Sequence, residues 1–387
     1  MFDKWILVFI NDFTEDWAMP ESTASPNPRI HRGLLVVVLA ATGAIAMWGL
    51  WRAWTLQEVM ILDESGIYAQ VRMFLEGRFE LFRWPSESYP ASAMFPGFQA
   101  VLAATAAVTG FSSISMLRVY AFGFSLCYAG TAYQVARQFF PPDIALLRAV
   151  QCYLLPIVFP YNFLIYTDVF SLLVILCAFW AMLRGKWNLG GALAILSLLV
   201  RQNNIVFLLF LWGFTLVKSH GFHPRREQIL GHLRRCWLLG VGVIAFALFV
   251  LIHGRVGLDA PQHQPTTISL GNLAMSVVVA GILFFPLHVT NRLVASRWAR
   301  KHWIAASVLL LAALAMALTY SAAHPWNFIP EMLRNQLIVA LTQSWAWRLV
   351  FAFAMVAVVL SVRVTPLVKP AAVLVYPFGV WCYYPCC

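Results

Sequence analysis

The chain has 387 residues, of which 61% are hydrophobic and 11% charged, with a mean hydropathy of +0.74. Soluble domains carry roughly 25% charged residues, so this composition excludes a soluble enzyme, a DNA-binding module, a collagen-like fibre and a disordered tail. The net charge of +11 comes from 27 Lys and Arg against 16 Asp and Glu. Those basic residues cluster between apolar runs, where they anchor and orient helices in a bilayer. They form no basic stripe with interleaved aromatics, so no nucleic-acid partner is expected. The reading is an all-α, polytopic membrane protein.

In chain order, the first 33 residues are mostly polar and read as a cytoplasmic N-terminal segment without a cleavable signal peptide. Residues 34–385 read as one transmembrane domain. A hydrocarbon core about 30 Å thick needs about 20 apolar residues as helix. The apolar runs predict about eleven spans, near 34–51, 118–136, 144–162, 169–183, 189–201, 204–217, 237–253, 272–290, 303–321, 348–362 and 371–385. A β-barrel would alternate apolar and polar residues, and runs such as Val241–Ile252 do not. The stretch Pro96–Thr109 is short, alanine-rich and begins at proline, so it reads as an interfacial or re-entrant helix. With it not spanning, about two-thirds of the Lys and Arg fall on the cytoplasmic side, including the clusters RREQILGHLRR and RLVASRWARK. The other face then receives a long loop at 52–117, with interfacial helices, together with most of the conspicuous polar motifs.

The seven cysteines are too few and too badly placed for a disulfide framework, and no histidine lies near the C-terminal three to complete a zinc pattern. His220 and His223 lie in a basic segment without a carboxylate arrangement resembling a metal site.

Four constellations carry possible chemistry. The first is Leu62-Asp63-Glu64, where adjacent carboxylates at a membrane surface suit general-base work on a hydroxyl or the holding of a cation. Asp63, Ile67 and Gln70 would share a helix face, followed by Arg72; the competing reading is an acid complementing the helix dipole. Second comes Tyr166-Thr167-Asp168, an aspartate between two apolar runs, costly unless it faces water or a partner. Asp168 also reads as an N-cap for the following span. The third is Arg201-Gln202-Asn203-Asn204, which interrupts an apolar stretch and brings a donor fork suited to phosphate. Its alternative is a tight turn whose arginine snorkels to the interface. Last, Asp259 and His263 lie in a polar loop suited to sugar hydroxyls, or are merely solvated.

Together these pieces resemble the dolichyl-phosphate-glucose-dependent α-1,2-glucosyltransferases that add the last glucose to the lipid-linked oligosaccharide in N-glycan assembly. That family's Met-Asp-Glu and Gln-Ala-Gln-Arg-Tyr elements match Leu62-Asp63-Glu64 and Ala69-Gln70-Val71-Arg72. Its Thr-Pro-Pro-Gly-Leu-Tyr stretch is echoed by Met94-Phe95-Pro96-Gly97-Phe98, and its Tyr-Tyr-Thr-Asp-Val by Ile165-Tyr166-Thr167-Asp168-Val169. Its Phe-Arg-Gln-Thr-Asn-Ile-Val is matched by Val200-Arg201-Gln202-Asn203-Asn204-Ile205-Val206, and its Gly-Asp-Lys…His loop in part by Gly257-Leu258-Asp259 and His263. The resemblance implies the GT-C-type glycosyltransferase fold and a hexosyltransferase that moves a sugar, glucose in the family, from a polyprenyl-phosphate donor to a lipid-linked or envelope glycan acceptor. Asp63, Glu64 and Asp168 would then be catalytic. Arg201, Gln202, Asn203, Gln70, Arg72, Asp259 and His263 would bind substrate. No cofactor is implied beyond the lipid-linked donor, and nothing in these residues forces a divalent metal. A multi-span transporter or lipid translocator is the rival reading, although the two halves show no convincing self-similarity. Arginine outnumbers lysine 22 to 5, which favours a bacterial inner membrane; a eukaryotic source would place the chain in the endoplasmic reticulum.

Overall fold

A computed structural model describes residues 32–56, 64–79, 94–155, 158–221, 224–254, 277–278, 281, 285–319 and 344–364. Among them every regular element is helical. The first half runs α1 (Arg32–Thr55), α2 (Glu64–Leu75), α3 (Gly97–Thr109), α4 (Ile114–Ala136) and α5 (Pro142–Tyr153). A 3-10 turn at Phe159–Asn162 leads to α6 (Thr167–Leu183) and α7 (Trp187–Val200). A second 3-10 turn, Gln202–Asn204, precedes α8 (Ile205–His220), α9 (Arg226–Arg235) and α10 (Trp237–His253). The remaining described helices are α11 (Phe285–Lys301), α12 (Trp303–Thr319) and α13 (Trp345–Val364).

Among the described residues one helix, Gly33–Thr55, is long and apolar enough to cross a membrane alone. Up to four spans result if each bent pair counts as one; shorter apolar helices cover Thr167–Leu183, Trp187–Val200 and Trp345–Leu360. The described helices therefore support an integral membrane protein without reaching the eleven spans expected. The region 144–162 departs most clearly. Its helix, α5, ends at Tyr153, and residues 159–162 form a 3-10 turn. Twelve residues rise about 18 Å, well short of the bilayer core. Pro160 has no backbone N–H to extend a helix, and Asn162 Nδ2 donates to the Tyr153 carbonyl at 3.0 Å, satisfying the abandoned end of α5. The stretch 97–109 is a helix of 13 residues bent 112° from α4, a geometry common to a re-entrant helix and a broken span. Spans expected at 371–385 and over most of 272–290 lie outside the described residues.

The outer surface is apolar. Leu34, Val36, Val37, Met47 and Trp48 on α1, and Ile244, Leu251 and Ile252 on α10, are all exposed. A water-soluble fold would bury such rows, whereas lipid solvates them. The interior gathers around α6, which packs between α4 and α7. One core cluster joins Ile67 and Val71 of α2, Phe98 and Leu102 of α3, Leu117 of α4, Phe170 of α6 and Val200 of α7. Through it, the short helices α2 and α3 are seated against the start of α6 and the end of α7. A second cluster, with Ala178, Ala194, Leu208 and Leu239, ties α6, α7, α8 and α10 together toward their other ends.

Candidate functional site

The first turn of α6 carries Asp168, and the residue after the end of α7 is Arg201. Antiparallel packing of α6 and α7 brings these two helix ends together, and Arg201 Nη1 donates to Asp168 Oδ1. Both side chains are nearly inaccessible. Asp168 is thus not the N-cap, a position held by Tyr166; it sits one residue inside the helix and spends its carboxylate on arginine. Arg201 is likewise no snorkelling side chain. Its backbone is extended (φ −147°, ψ 120°), which ends α7 and starts the 3-10 turn. The expected tight turn is there, with its arginine folded inward instead of outward.

Beneath this pair, Asn204 locks the turn to the neighbouring helices. Its Nδ2 donates to Ser171 Oγ at 2.8 Å and to the Ser197 carbonyl at 2.7 Å. Those bonds hold the orphaned end of α7 against α6. Gln202 is buried and Asn203 half-buried beside them. Thr167 Oγ1 donates to Met94 Sδ at 3.0 Å, which brings the 94–98 stretch to the same place. Gly97 is required there: a Cβ would lie 2.8 Å from the Leu199 carbonyl carbon, two residues before Arg201. Three separate sequence segments therefore meet at one end of the bundle.

Glu64 begins α2 and is wholly buried. Its partner is Arg118 of α4, also wholly buried, which donates from Nε to Oε1 at 3.1 Å and from Nη2 to Oε2 at 2.7 Å. The same guanidinium donates from Nη1 to the carbonyls of Ala53 (2.9 Å) and Leu56 (2.7 Å) at the end of α1. The Ile165 N–H donates to Glu64 Oε1 at 3.0 Å, just before the Tyr166-Thr167-Asp168 motif. Glu64 therefore ties α1, α2, α4 and the approach to α6 into one knot. Arg118 is the functional residue that sequence reading missed. The signal available in the sequence is an arginine set in an otherwise apolar helix.

Gln70, expected to bind substrate, is buried in the α2–α3 interface and accepts a hydrogen bond from Gln99 Nε2 at 2.8 Å. Arg72 is exposed on the same helix. Asp63, Asp259 and His263 lie outside the described residues, although Asp63 adjoins Glu64 in the chain. Among the described residues no group of three or more His, Cys, Asp or Glu is placed to hold a metal.

Chemically, the arrangement offers a cation held inward by a carboxylate at the meeting point of helix ends, with amide side chains beside it. Such a group stabilises an anion better than a surface arginine does, because its position is fixed before the anion arrives. Residues 60–229 match the family model of the DIE2/ALG10 family. That match takes in both buried ion pairs. No curated protein and no solved structure matches the chain.

Proposed function

By the match over residues 60–229, the chain belongs to the DIE2/ALG10 family, the alpha-1,2-glucosyltransferase family, and from that premise we propose that it is a GT-C-type membrane transferase moving glucose from a polyprenyl-phosphate donor to a lipid-linked or envelope glycan. The observation that carries this reading is the buried Asp168–Arg201 pair at the junction of α6 and α7. In the reaction an acceptor hydroxyl attacks the anomeric carbon. The new carbon–oxygen bond forms as the bond to the phosphate oxygen breaks, and polyprenyl phosphate departs. Asp63 takes the hydroxyl proton, and Glu64, fixed by Arg118, positions it from the adjacent residue. Arg201 faces the negative charge that grows on the leaving phosphate, an electrostatic role that lowers barriers by a few kcal/mol. Asp168 fixes the guanidinium. Gln202 and Asn203 bond the sugar, with Arg72, Asp259 and His263 supporting the substrates; Gln70 acts by holding α2 on α3. The chemistry then takes place on the non-cytoplasmic face of either the bacterial inner membrane or the endoplasmic reticulum membrane.

The test is transfer of labelled glucose from a polyprenyl-phosphate-glucose donor in membranes containing Asp63→Asn at wild-type abundance. Loss of product supports the base, and full activity sinks it. Solute uptake by purified protein in vesicles, without any transfer product, supports a transporter instead.

A further inference from the structure

At the opposite end of α7 from Arg201 lies a cleft of about 660 Å³. Fourteen helical residues separate the two ends, or about 20 Å at 1.5 Å per residue, so this cleft is no part of the site above. Its walls are Lys186, Trp187 and Leu189 at the start of α7, Arg234 and Arg235 at the end of α9, and Trp237 at the start of α10. Lys186, Arg234, Arg235 and Trp237 are exposed, and none of the three cations takes part in an ion pair among the described residues. On α9 the acid is Glu227, two turns back from Arg234. Three like charges converging without a counter-charge repel one another, which an anion in the cleft would relieve.

Two further features favour an anion here. Both α7 and α10 begin at the cleft, and neither has a side-chain cap on its first N–H groups. Those uncapped donors add to the three side-chain charges, while the C-terminal end of α9, which also reaches the cleft, offsets the helix dipoles. The flanks of the cleft, in contrast, are apolar. Leu189 and Leu196 form an exposed row on α7, and Val241, Ile244 and Leu248 form another on α10. Each row starts beside the basic rim and runs away from it along its helix. Cations above, tryptophans at the level of the rim and exposed apolar rows below reproduce the layering of headgroup, interface and hydrocarbon.

We propose that this cleft binds the phosphate headgroup of an anionic phospholipid, whose chains lie along α7 and α10. The occupant is a diacyl lipid and not a soluble phosphate, because the flanking rows continue the site into the bilayer. By the distribution of basic residues it belongs to the cytoplasmic leaflet, across the membrane from the donor sugar. The proposal is independent of the transferase reading: it invokes none of that site's residues.

Native mass spectrometry of the purified full chain in neutral detergent tests it, with phosphatidic acid and phosphatidylcholine as probes. One phosphatidic acid is expected to bind at least about ten-fold more tightly than phosphatidylcholine. A basic side chain near an anionic headgroup is worth about five-fold, so Lys186→Gln alone lowers the preference by about that factor. The triple variant K186Q/R234Q/R235Q abolishes it. Arg225→Gln with Arg226→Gln, on the same helix but away from the cleft, leaves it within two-fold; an equal loss there would reduce the effect to general electrostatics and overturn the site. Equal binding of the two lipids also overturns it. Displacement by millimolar inorganic phosphate makes the ligand a soluble anion and overturns the lipid assignment. The exposed single variant keeps the test decisive if the triple variant does not accumulate.

Discussion

Replacing Arg118 by methionine should cripple the fold through a charge it leaves behind, and the proof is that a second mutation repairs it. Arg118 makes two bonds to Glu64, at 3.1 and 2.7 Å, and two to the carbonyls of Ala53 and Leu56, all in the interior. Methionine fills much of the same volume but returns none of these donors. Removing one partner of a buried ion pair costs about 3–5 kcal/mol, and stranded carbonyls add about 1–3 kcal/mol each where water cannot reach them. A total near 5 kcal/mol is a large share of the roughly 5–15 kcal/mol that holds an ordinary domain together. Glu64→Gln on its own keeps an acceptor for the guanidinium and costs about 3 kcal/mol, the low end of that range. The double variant carries no buried carboxylate in need of a cation, so it should be more stable than Arg118→Met by about 2 kcal/mol. Reversible unfolding of the purified chain in mixed micelles measures all four corners of the cycle. Costs of the two single changes that simply add would refute the reasoning, because the pair would then not be coupled.

Gly97→Ala drives a methyl into the Leu199 carbonyl, so α3 and α7 must part; about 1–3 kcal/mol of stability is lost, read as a lower melting temperature, and an unchanged melt would refute the close approach. Asp168→Asn frees Arg201 from its carboxylate and should lower glucose transfer at least about a hundred-fold with the protein still folded. Arg201→Lys keeps the charge but loses the fork, so transfer should fall about ten-fold or more; near-normal rates would show that the planar donors are not used. His232, on the basic helix α9, is buried against Thr215 and Cys236, with His220 and Arg235 nearby. Burial pushes its pKa below the usual histidine value, with His220 and Arg235 acting in the same direction and the Trp212 carbonyl opposing. The unfolded chain then takes up the proton more readily, so stability is complete above about pH 6.5 and falls as the pH drops below it. His232→Gln should flatten that acid slope in a melting series from pH 8 to 5, and an unchanged slope would assign it to other groups.

The polar interruptions of apolar runs were legible because the bilayer makes them expensive. Asp168 and Arg201 stand out in any reading of the chain, and the structure pairs them although 33 residues separate them. What could not be read was the pairing itself. Asp168 looked like a cap and Arg201 like an interfacial anchor, since sequence spacing does not show that α6 and α7 lie antiparallel with those ends together. Glu64 was legible as one of two adjacent carboxylates at a membrane surface, but its burial and its partner, 54 positions on, were not. Arg118 sits in a helix that hydropathy alone treats as uniformly apolar. Helix type was legible almost everywhere, from composition. Helix extent was less so, because hydropathy runs straight past the end of α5 at Tyr153, where helix formation fails before apolarity does.

The Asp168–Arg201 pair has a geometry that bears on how a charged donor would be handled at the membrane surface. Asp168 lies in the first turn of its helix and Arg201 just past the last turn of its own. Each charge therefore complements the dipole of the helix that carries it as well as its partner. A surface arginine must shed water and be immobilised when a phosphate arrives, and those costs are subtracted from binding. Arg201 has already been dehydrated and oriented by folding, with Asp168 and the Asn204-stapled turn holding it. In the proposed reaction the donor's phosphate meets a cation whose position does not change as charge develops on the leaving oxygen, which is the condition for stabilising the transition state more than the ground state. By the same logic Asn204, although it need touch no substrate, sets where the guanidinium sits. Asn204→Ala should accordingly lower kcat more than it raises the KM for the donor, whereas loss of a direct sugar contact would raise KM.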